Sequence, residues 1–262
     1  MEPWRTAISS SDDQHIWIQG YDIVQLMASA SFADVVFLLH KGRMPSEAER
    51  RIVDAMLIAV ADHGPASPSA AAARTVASGN RVAPEAAIAA GVLAIGDAHG
   101  GAGLACLQLI TDALTEARSQ PTTLAAIARG VVDAVRAENR RLPGIGHRTH
   151  THDPRTDVLF EMARSGRIAG DGIAFMVELE RAVADAIKPM PINVDGAIAA
   201  VLYDLGFSPP LGKLLFIIGR VAGLSAQVVE EYTRERAMRI KFPVAYDGPA
   251  PRELGNTVKV AP

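Results

Sequence analysis

Helical periodicity, interrupted at intervals by glycine and proline, is the feature that most restricts the folds open to this 262-residue chain. Ser46 and Glu49 have the spacing of a capping box, and apolar side chains follow them at helical spacing. Ser67 and Pro68 match the preferred first residues of another helix. Similar patterns predict further helices over 84–96, 101–118, 122–138, 154–165, 171–187, 194–205 and 211–232. The sequence therefore predicts an all-α fold.

The two ends of the chain differ from this helical background. Residues 15–22 favour one short extended segment, and the prolines that follow residue 243 predict an irregular tail. We therefore expect very little β structure in this protein.

Charge and composition narrow the possible functions. The 29 acidic and 26 basic residues nearly balance, so the chain lacks the basic excess that binds nucleic acids or anionic membranes. The apolar window 86–96 is too short to cross a membrane, and the window 214–226 is interrupted by Arg220. The single cysteine, Cys106, and an N-terminus without signal-peptide features predict a reducing, cytoplasmic location.

Four polar segments, 62–65, 96–103, 142–155 and 192–196, place ionisable side chains beside glycine or proline at predicted helix ends. Binding and catalytic sites are often built at such junctions. Taken singly, two of the residues have structural explanations, since His63 could cap the end of a helix and Asp195 the start of one. The glycines beside His99 would let an anionic ligand approach the backbone at a helix N-terminus.

The segment 142–155 is the richest in ionisable groups. Three histidines and two arginines fall within nine residues: His147, Arg148, His150, His152 and Arg155. A zinc site that uses His150 and His152 is one interpretation, because these side chains could point the same way on an extended chain. The arginines would repel a cation but bind carboxylates bidentately, so an anion site is the better interpretation.

Together these segments resemble the citrate synthase superfamily, and most closely its citryl-CoA lyase modules. The similarity begins with GYDI (20–23) and LLHKGRMP (38–45), and it continues through ADHGPASPSAAAARTVAS (61–78), GVLAIGDAHGGA (91–102), GIGHRTHTHDPR (144–155), NVDG (193–196) and IGRVAGLSAQ (218–227). Each motif is weak alone, but their occurrence in this order is specific. The forms DHGP, IGDAHGG and NVDG are more similar to lyase modules than to full-length synthases.

The resemblance implies a catalytic triad of His99, His147 and Asp195. In the cleavage of a 3-hydroxyacyl thioester, it implies that His147 removes the hydroxyl proton and His99 stabilises the departing enolate. Asp195 would then protonate the enolate carbon, which becomes the new methyl group. The residue types suit these tasks, because imidazole titrates near neutral pH and a carboxyl group in a dry site has a raised pKa.

Substrate-binding roles are also implied by the resemblance. His63, Arg155 and Arg220 would bind the hydroxyl and carboxylate groups of citrate or oxaloacetate, which explains a charge inside an apolar helix. A cation from the other subunit of a homodimer is implied as well, and Lys241 lies where lyase modules have arginine. Lysine cannot reproduce the bidentate grip of arginine, so the contact to the third carboxylate is left open.

Coenzyme A, with no metal required, is the ligand that the resemblance implies, either as thioester substrate or as product. We expect it to lie against a loop that contains Leu142, Gly144, Ile145, Gly146 and Arg148. The resemblance also implies a large domain formed by residues 1–102 and 201–262, and a smaller mobile domain formed by residues 103–200.

These implications predict an enzyme that cleaves citryl-CoA, or a close analogue, to oxaloacetate and acetyl-CoA. Two alternatives are left open: a short citrate synthase-type acyltransferase that condenses an acyl-CoA with a 2-oxo acid, and a non-catalytic CoA-binding or regulatory subunit. The expected partners are these small molecules, a second copy of the chain and a separate CoA ligase, rather than nucleic acid or a membrane.

Overall fold

The computed structural model describes residues 2–118, 122–146 and 151–253. A three-stranded antiparallel sheet near the N-terminus contains β1 (Ser9–Ser11), β2 (Ile16–Ile18) and β3 (Tyr21–Asp22), with β2 in the middle. The helices of the described residues follow in the order α1 (Ile23–Ser29), α2 (Phe32–Lys41), α3 (Glu47–Val60), α4 (Pro68–Gly79), α5 (Pro84–Leu93), α6 (Ala102–Ala117), α7 (Leu124–Ala137), α8 (Pro154–Ser165), α9 (Asp171–Ala186), α10 (Val194–Asp204) and α11 (Pro210–Arg234).

The prediction of an all-α fold is confirmed, and most helix ends agree with it within a few residues. The capping box of α3 is present, because the Ser46 hydroxyl accepts from the Glu49 backbone and the Glu49 carboxylate accepts from the Ser46 backbone. Helix α5 ends at Leu93, earlier than predicted. The backbones of Gly96 and His99 exchange two hydrogen bonds across a tight turn, which the helix could not accommodate.

The prediction of one extended segment at 15–22 is wrong in its topology. The chain turns back at Gln19 and Gly20, whose φ angles of 49° and 82° are those of a tight hairpin turn, so the segment forms two strands. β1 adds a third strand that the sequence pattern did not predict, because its three serines carry no apolar alternation.

Helix α10 lies at the centre of the molecule. Every residue from Gly196 to Leu202 is buried, and the helix packs against α6, α8, α9 and α11. This burial on all sides explains why its sequence is apolar without the one-sided pattern of a surface helix. The N-terminus of α10, which carries Asp195, is thereby fixed among the other elements that end nearby.

Helix α11 has the length and apolar composition of a membrane-spanning helix. In this fold, however, it is a core helix that packs against α3, α4, α5 and α6, and about half of its apolar window is buried inside the protein. A smaller apolar cluster joins it to α4 and α5 through Ala70, Ala73, Ala77, Ala87, Leu224 and Val228. The expectation that the segment around Arg220 forms a buried helix is therefore confirmed.

Candidate active site

The four polar segments converge on one cavity of about 1010 Å³. Its wall includes the turns before α4 and α6, the loop 140–146, the first turns of α8 and α10, and one face of α11. The predicted site residues that line it are His63, His99, Leu142, Gly144, Ile145, Gly146, Arg155, Asp195 and Arg220. Residues chosen from separate motifs thus share one surface.

The structural explanations for His63 and Asp195 do not apply. Helix α3 ends at Val60 with Ala61 as its C-cap, so His63 lies beyond the helix end, exposed in the following turn. The N-cap of α10 is Asn193, whose side chain accepts from the Gly196 backbone at 3.1 Å. Both side chains are therefore presented to the cavity by positions that helix capping does not require.

His99 is held in a turn in which only glycine fits two positions. Gly100 has a φ of +73°, and a β-carbon on Gly101 would lie 2.3 Å from the Gly96 carbonyl oxygen. The His99 ring meets the Phe216 ring edge to face, with centroids 6.1 Å apart. The glycines of this motif thus shape the turn that directs the imidazole toward α4 and α11.

Ser69 contacts one nitrogen of the His99 ring through both its backbone and its side chain. The Ser69 backbone N–H donates to His99 Nε2 at 3.3 Å, and the Ser69 hydroxyl lies 2.9 Å from the same nitrogen. A nitrogen that accepts from a backbone N–H carries no proton, so the ring proton of a neutral His99 is on Nδ1. The arrangement therefore favours a neutral imidazole that acts as a hydrogen-bond donor through Nδ1.

Arg220 is buried, with 3% of its surface exposed. Its Nε donates to the Val60 carbonyl at 2.8 Å, its Nη1 donates to the Ser69 hydroxyl at 3.1 Å, and its guanidinium lies 4.6 Å from the centre of the Phe216 ring. Burial lowers the pKa of Arg220, although the charges of Asp62 and Asp195 act in the opposite direction. These hydrogen bonds go to neutral acceptors, which suits a group that binds an anion.

Arg155 lies in the first turn of α8 and is tied to a buried carboxylate. Its Nε and Nη2 donate to the two oxygens of Asp153 at 2.9 and 2.8 Å, and its Nη1 is 3.4 Å from the Ala59 carbonyl. This bidentate pair fixes the plane of the guanidinium. Arg155 and Arg220 place two positive charges on the wall of one cavity.

Asp195 is a half-buried carboxyl group on the wall of the cavity. Burial raises its pKa, and the charge of Asp153 adds to this rise, whereas Arg155 and Arg220 oppose it. A carboxyl group whose pKa is raised can hold a proton closer to neutral pH and deliver it to a substrate. This chemistry suits the acid role that the resemblance implies for Asp195.

The loop 144–146 is joined closely to the start of α10. Gly146 donates to the Pro191 carbonyl at 2.7 Å, and the Asn193 side chain donates to the Gly146 carbonyl at 2.8 Å. A β-carbon on Gly196 would lie 2.3 Å from the Gly144 carbonyl oxygen, so the close approach depends on glycine. The loop predicted to bind coenzyme A is thus held against the start of α10, which carries Asp195.

Three of the predicted site residues cannot be placed on the cavity wall of this chain. His147 and Arg148 lie outside the described residues. Lys241 is exposed in the irregular segment after α11 and does not line the cavity of its own chain. Of the alternative zinc pair, His150 also lies outside the described residues. His152 pairs with Asp157, whose hydrogen bond raises the pKa of the imidazole.

Two buried residues of this site were not predicted from the sequence. Ser69 joins His99 to Arg220, and Asp153 joins Arg155 to the start of α10. The available signals were weak: a serine within an alanine-rich helix, and an aspartate before a proline, which is common at helix starts. Arg140 and Arg141 also line the cavity, and neither was predicted as a site residue.

Comparison with known proteins places this arrangement in a family. Residues 45–241 match the family model for the C-terminal domain of citrate synthase. A citrate/2-methylcitrate synthase of Bacillus subtilis (strain 168) is 28% identical over 231 residues, which are 87% of this chain and 59% of that protein. The chain spans about three fifths of the length of this curated relative.

Solved structures give matches over nearly the whole chain. The citryl-CoA lyase of Hydrogenobacter thermophilus is 38% identical, with a TM-score of 0.88, 97% of this chain covered and 98% of that one. An ATP citrate lyase of Methanosaeta concilii, solved in complex with (3S)-citryl-CoA, shares the fold at 23% identity, with a TM-score of 0.79 over 95% of this chain and 43% of that one. The chain therefore belongs to the citrate synthase family.

Proposed function

We propose that this protein cleaves citryl-CoA, or a close analogue, to oxaloacetate and acetyl-CoA. The observation that carries the proposal is the convergence of His99, Asp195, Arg155 and Arg220 on the wall of one cavity. The similarity to a citryl-CoA lyase over the full length of both chains supports it.

The arginines would bind the acid end of the substrate. The hydrogen bonds of Arg220 go to neutral acceptors, and the bidentate contact with Asp153 fixes the plane of the Arg155 guanidinium. Both guanidinium groups would therefore be able to bind substrate carboxylates in a partly desolvated cavity. His63, exposed in the turn after α3, would bind the hydroxyl group or a carboxylate. Several charge-assisted hydrogen bonds of this kind would hold the reacting bond in a fixed position.

Bond cleavage would use the three residues of the predicted catalytic triad. His147 would remove the hydroxyl proton, so that the oxygen forms the carbonyl of oxaloacetate while the adjacent carbon–carbon bond breaks. The electron pair of that bond passes to the acetyl thioester as an enolate. His99 would donate a hydrogen bond to the enolate oxygen, and the position of Ser69 fixes the tautomer that can do so.

Asp195 would complete the reaction by protonating the enolate carbon, which becomes the methyl group of acetyl-CoA. The raised pKa of Asp195 keeps the proton available for this step. The thioester arm of coenzyme A would lie along the loop that contains Leu142, Gly144, Ile145, Gly146 and Arg148. Asn193, the N-cap of α10, hydrogen-bonds to Gly146 of this loop and lies two residues before Asp195. The position of bound coenzyme A and the position of the proton donor would therefore be coupled.

A homodimer is part of the proposal. Apart from Glu85 in its first turn, helix α5 is apolar, yet only Ala87 and Gly91 of its residues are buried, and Leu93 at its end is 84% exposed. An apolar helix left at a surface indicates an interface. Lys241, which follows α11 and is exposed, would then reach the cavity of the partner subunit.

Two further parts of the proposal concern motion and location. Residues 103–200 would move as a smaller domain against 1–102 and 201–262, and so close the cavity over the substrate. The protein would act in the cytoplasm on a thioester that a separate CoA ligase supplies.

The alternative is a short synthase, which the similarity to the Bacillus subtilis citrate/2-methylcitrate synthase favours. A synthase hydrolyses the citryl thioester and releases free coenzyme A, whereas a lyase leaves the acetyl thioester intact. Incubation of the pure protein with citryl-CoA, citramalyl-CoA and methylcitryl-CoA, followed by chromatographic identification of the products, separates the two. We expect acetyl-CoA and oxaloacetate from citryl-CoA. Free coenzyme A with citrate would support the synthase, and no turnover of any thioester would support a non-catalytic subunit.

A further inference from the structure

Asp153 is a carboxylate with 1% of its surface exposed, at the N-cap of α8. One oxygen accepts from the Arg155 backbone N–H at 3.1 Å and from Arg155 Nε at 2.9 Å. The other accepts from Arg155 Nη2 at 2.8 Å and from the Val194 backbone N–H at 3.0 Å. A single buried carboxylate therefore binds the side chain of Arg155 and the first residue of α10.

These contacts join two helix starts that carry site residues. Arg155 lies in the first turn of α8, and Asp195 follows Val194 in the first turn of α10. The Thr156 hydroxyl adds a second link by donating to the Ile192 carbonyl at 3.0 Å. Because Asp153 occupies the Nε and Nη2 side of the guanidinium, Arg155 can offer a substrate carboxylate chiefly its Nη1 side, where Nη1 also lies 3.4 Å from the Ala59 carbonyl.

We propose that Asp153 is a positioning residue for the proposed cleavage reaction, which orients Arg155 for the substrate and shields Asp195 from the charge of Arg155. The inference rests on the proposed function for its kinetic consequences, but its structural part concerns the coupling of the two side chains and can be measured without turnover.

The charges around Asp195 explain the shielding. Asp153 and Arg155 face it from the start of α8, Arg220 from α11, and the thiol of Cys106 from α6, while His63 and His99 line the same cavity. Burial raises the pKa of Asp195 and Asp153 reinforces this, whereas the two arginines lower it. Burial alone would raise the pKa of Asp153 too, but its hydrogen bonds and charge interaction with Arg155 outweigh burial and lower it.

Replacement of the shielding charge tests the inference. In Asp153→Asn, Arg155 keeps its charge without an ionised partner, so the pKa of Asp195 should fall. Carbon-13 NMR titration of the aspartate side-chain carboxyls, with Asp195 assigned through Asp195→Asn, measures this directly in wild type and variant. Asp157→Asn is the matched control, since Asp157 is an exposed aspartate one turn along α8, and it should leave the titration unchanged.

The kinetic consequence has a defined sign. Cleavage needs protonated Asp195, so the fall in kcat with rising pH should begin at lower pH in Asp153→Asn, and kcat/KM for citryl-CoA should drop at least about tenfold. Asp153→Glu keeps the charge but displaces it by one methylene. In this variant the pKa of Asp195 should stay near that of the wild type, while kcat/KM should fall. Asp153→Glu also tests the orientation of Arg155 if Asp153→Asn does not fold.

The outcomes separate this inference from the proposed function. An unchanged or upward-shifted Asp195 titration in folded Asp153→Asn overturns the shielding, and wild-type kcat/KM in Asp153→Glu overturns the orientation. If the wild type does not turn over citryl-CoA, the proposed function fails. A lowered pKa of Asp195 in Asp153→Asn would still support the coupling between Asp153 and Asp195.

Discussion

Ser69 has an effect on His99 that can be measured at the scale of a single residue. Its hydroxyl contacts His99 Nε2 and accepts from Arg220, so Ser69→Ala removes one contact from each. The loss of one such hydrogen bond corresponds to about a tenfold effect. We expect kcat for citryl-CoA cleavage to fall about tenfold in Ser69→Ala, as measured by acetyl-CoA formation at saturating substrate.

Ser78 provides the matched control for this variant. It is a buried serine on the same helix, and its hydroxyl has no hydrogen-bond partner among the described residues. Ser78→Ala should therefore leave kcat unchanged. An equal loss of activity in both variants would mean that α4 tolerates no change, and that Ser69 has no particular role toward His99.

The three residues of the predicted catalytic triad should have larger effects. His99→Ala, His147→Ala and Asp195→Ala should each lower kcat at least about 100-fold, which is the usual scale for acid–base and enolate-stabilising groups. Circular dichroism should show the helical content of the wild type in each variant. Near wild-type turnover in any one of them would remove that residue from the mechanism.

Most of the residues that line the cavity were predictable because they belong to recognisable sequence motifs. The buried residues that hydrogen-bond to them were not predictable. His99 and Asp195 stand beside glycines in short polar segments, and such segments are visible in a sequence. Ser69 and Asp153 act through hydrogen bonds that cross the fold, from α4 to the turn before α6 and from α8 to α10. Contacts between distant segments depend on packing, which no local pattern specifies.

At the scale of elements, the close approach of the loop 144–146 to α10 should affect both the stability of the fold and the proposed binding of coenzyme A. A β-carbon on Gly196 would lie 2.3 Å from the Gly144 carbonyl oxygen, so Gly196→Ala must push the loop away. We expect a loss of about 1–3 kcal/mol in the free energy of unfolding, measured with urea. We also expect a raised KM for citryl-CoA.

Gly130→Ala is the corresponding control. Gly130 lies within α7, and a β-carbon there would meet nothing within 4 Å. Alanine is favoured over glycine inside a helix by about 0.5–1 kcal/mol. The control should therefore be slightly more stable than the wild type with an unchanged KM, and destabilisation of both variants to the same extent would contradict the argument from close approach.

The helices were predictable because their starts carry capping residues and their bodies carry apolar periodicity. Ser31 and Ser46 form capping boxes at the starts of α2 and α3, and the Asp22 side chain accepts from two backbone N–H groups at the start of α1. The hairpin around Gln19 was not predicted, because a non-glycine residue at positive φ leaves little trace in a single sequence. The end of α5 also differs from the prediction, because the helix stops at Leu93 and the turn that holds His99 follows.

At the scale of the whole molecule, Lys241 should select the acid through the dimer. Arg239 forms a bidentate pair with the buried Glu231 and so fixes the chain just before Lys241. A lysine meets a carboxylate as a flexible point charge, so discrimination against a substrate with methyl in place of one carboxylate should be weak. Citramalyl-CoA should therefore be cleaved alongside citryl-CoA.

Lys241→Arg should raise the ratio of kcat/KM for citryl-CoA to that for citramalyl-CoA several-fold, up to about tenfold. Lys188→Arg, at an exposed position after α9, is the control and should leave this ratio unchanged. If the ratio does not move in Lys241→Arg, or if citramalyl-CoA is inert with the wild type, Lys241 does not read the third carboxylate.

Cleavage of citryl-CoA in heavy water tests the account most directly. If Asp195 delivers a proton that it has exchanged with solvent, each acetyl-CoA should carry one deuterium in its methyl group, with the thioester intact and one oxaloacetate formed. Mass spectrometry of the thioester products measures this, and Asp195→Asn should abolish it. Recovery of free coenzyme A with citrate, or acetyl-CoA formed at the wild-type rate by Asp195→Asn, would contradict the account.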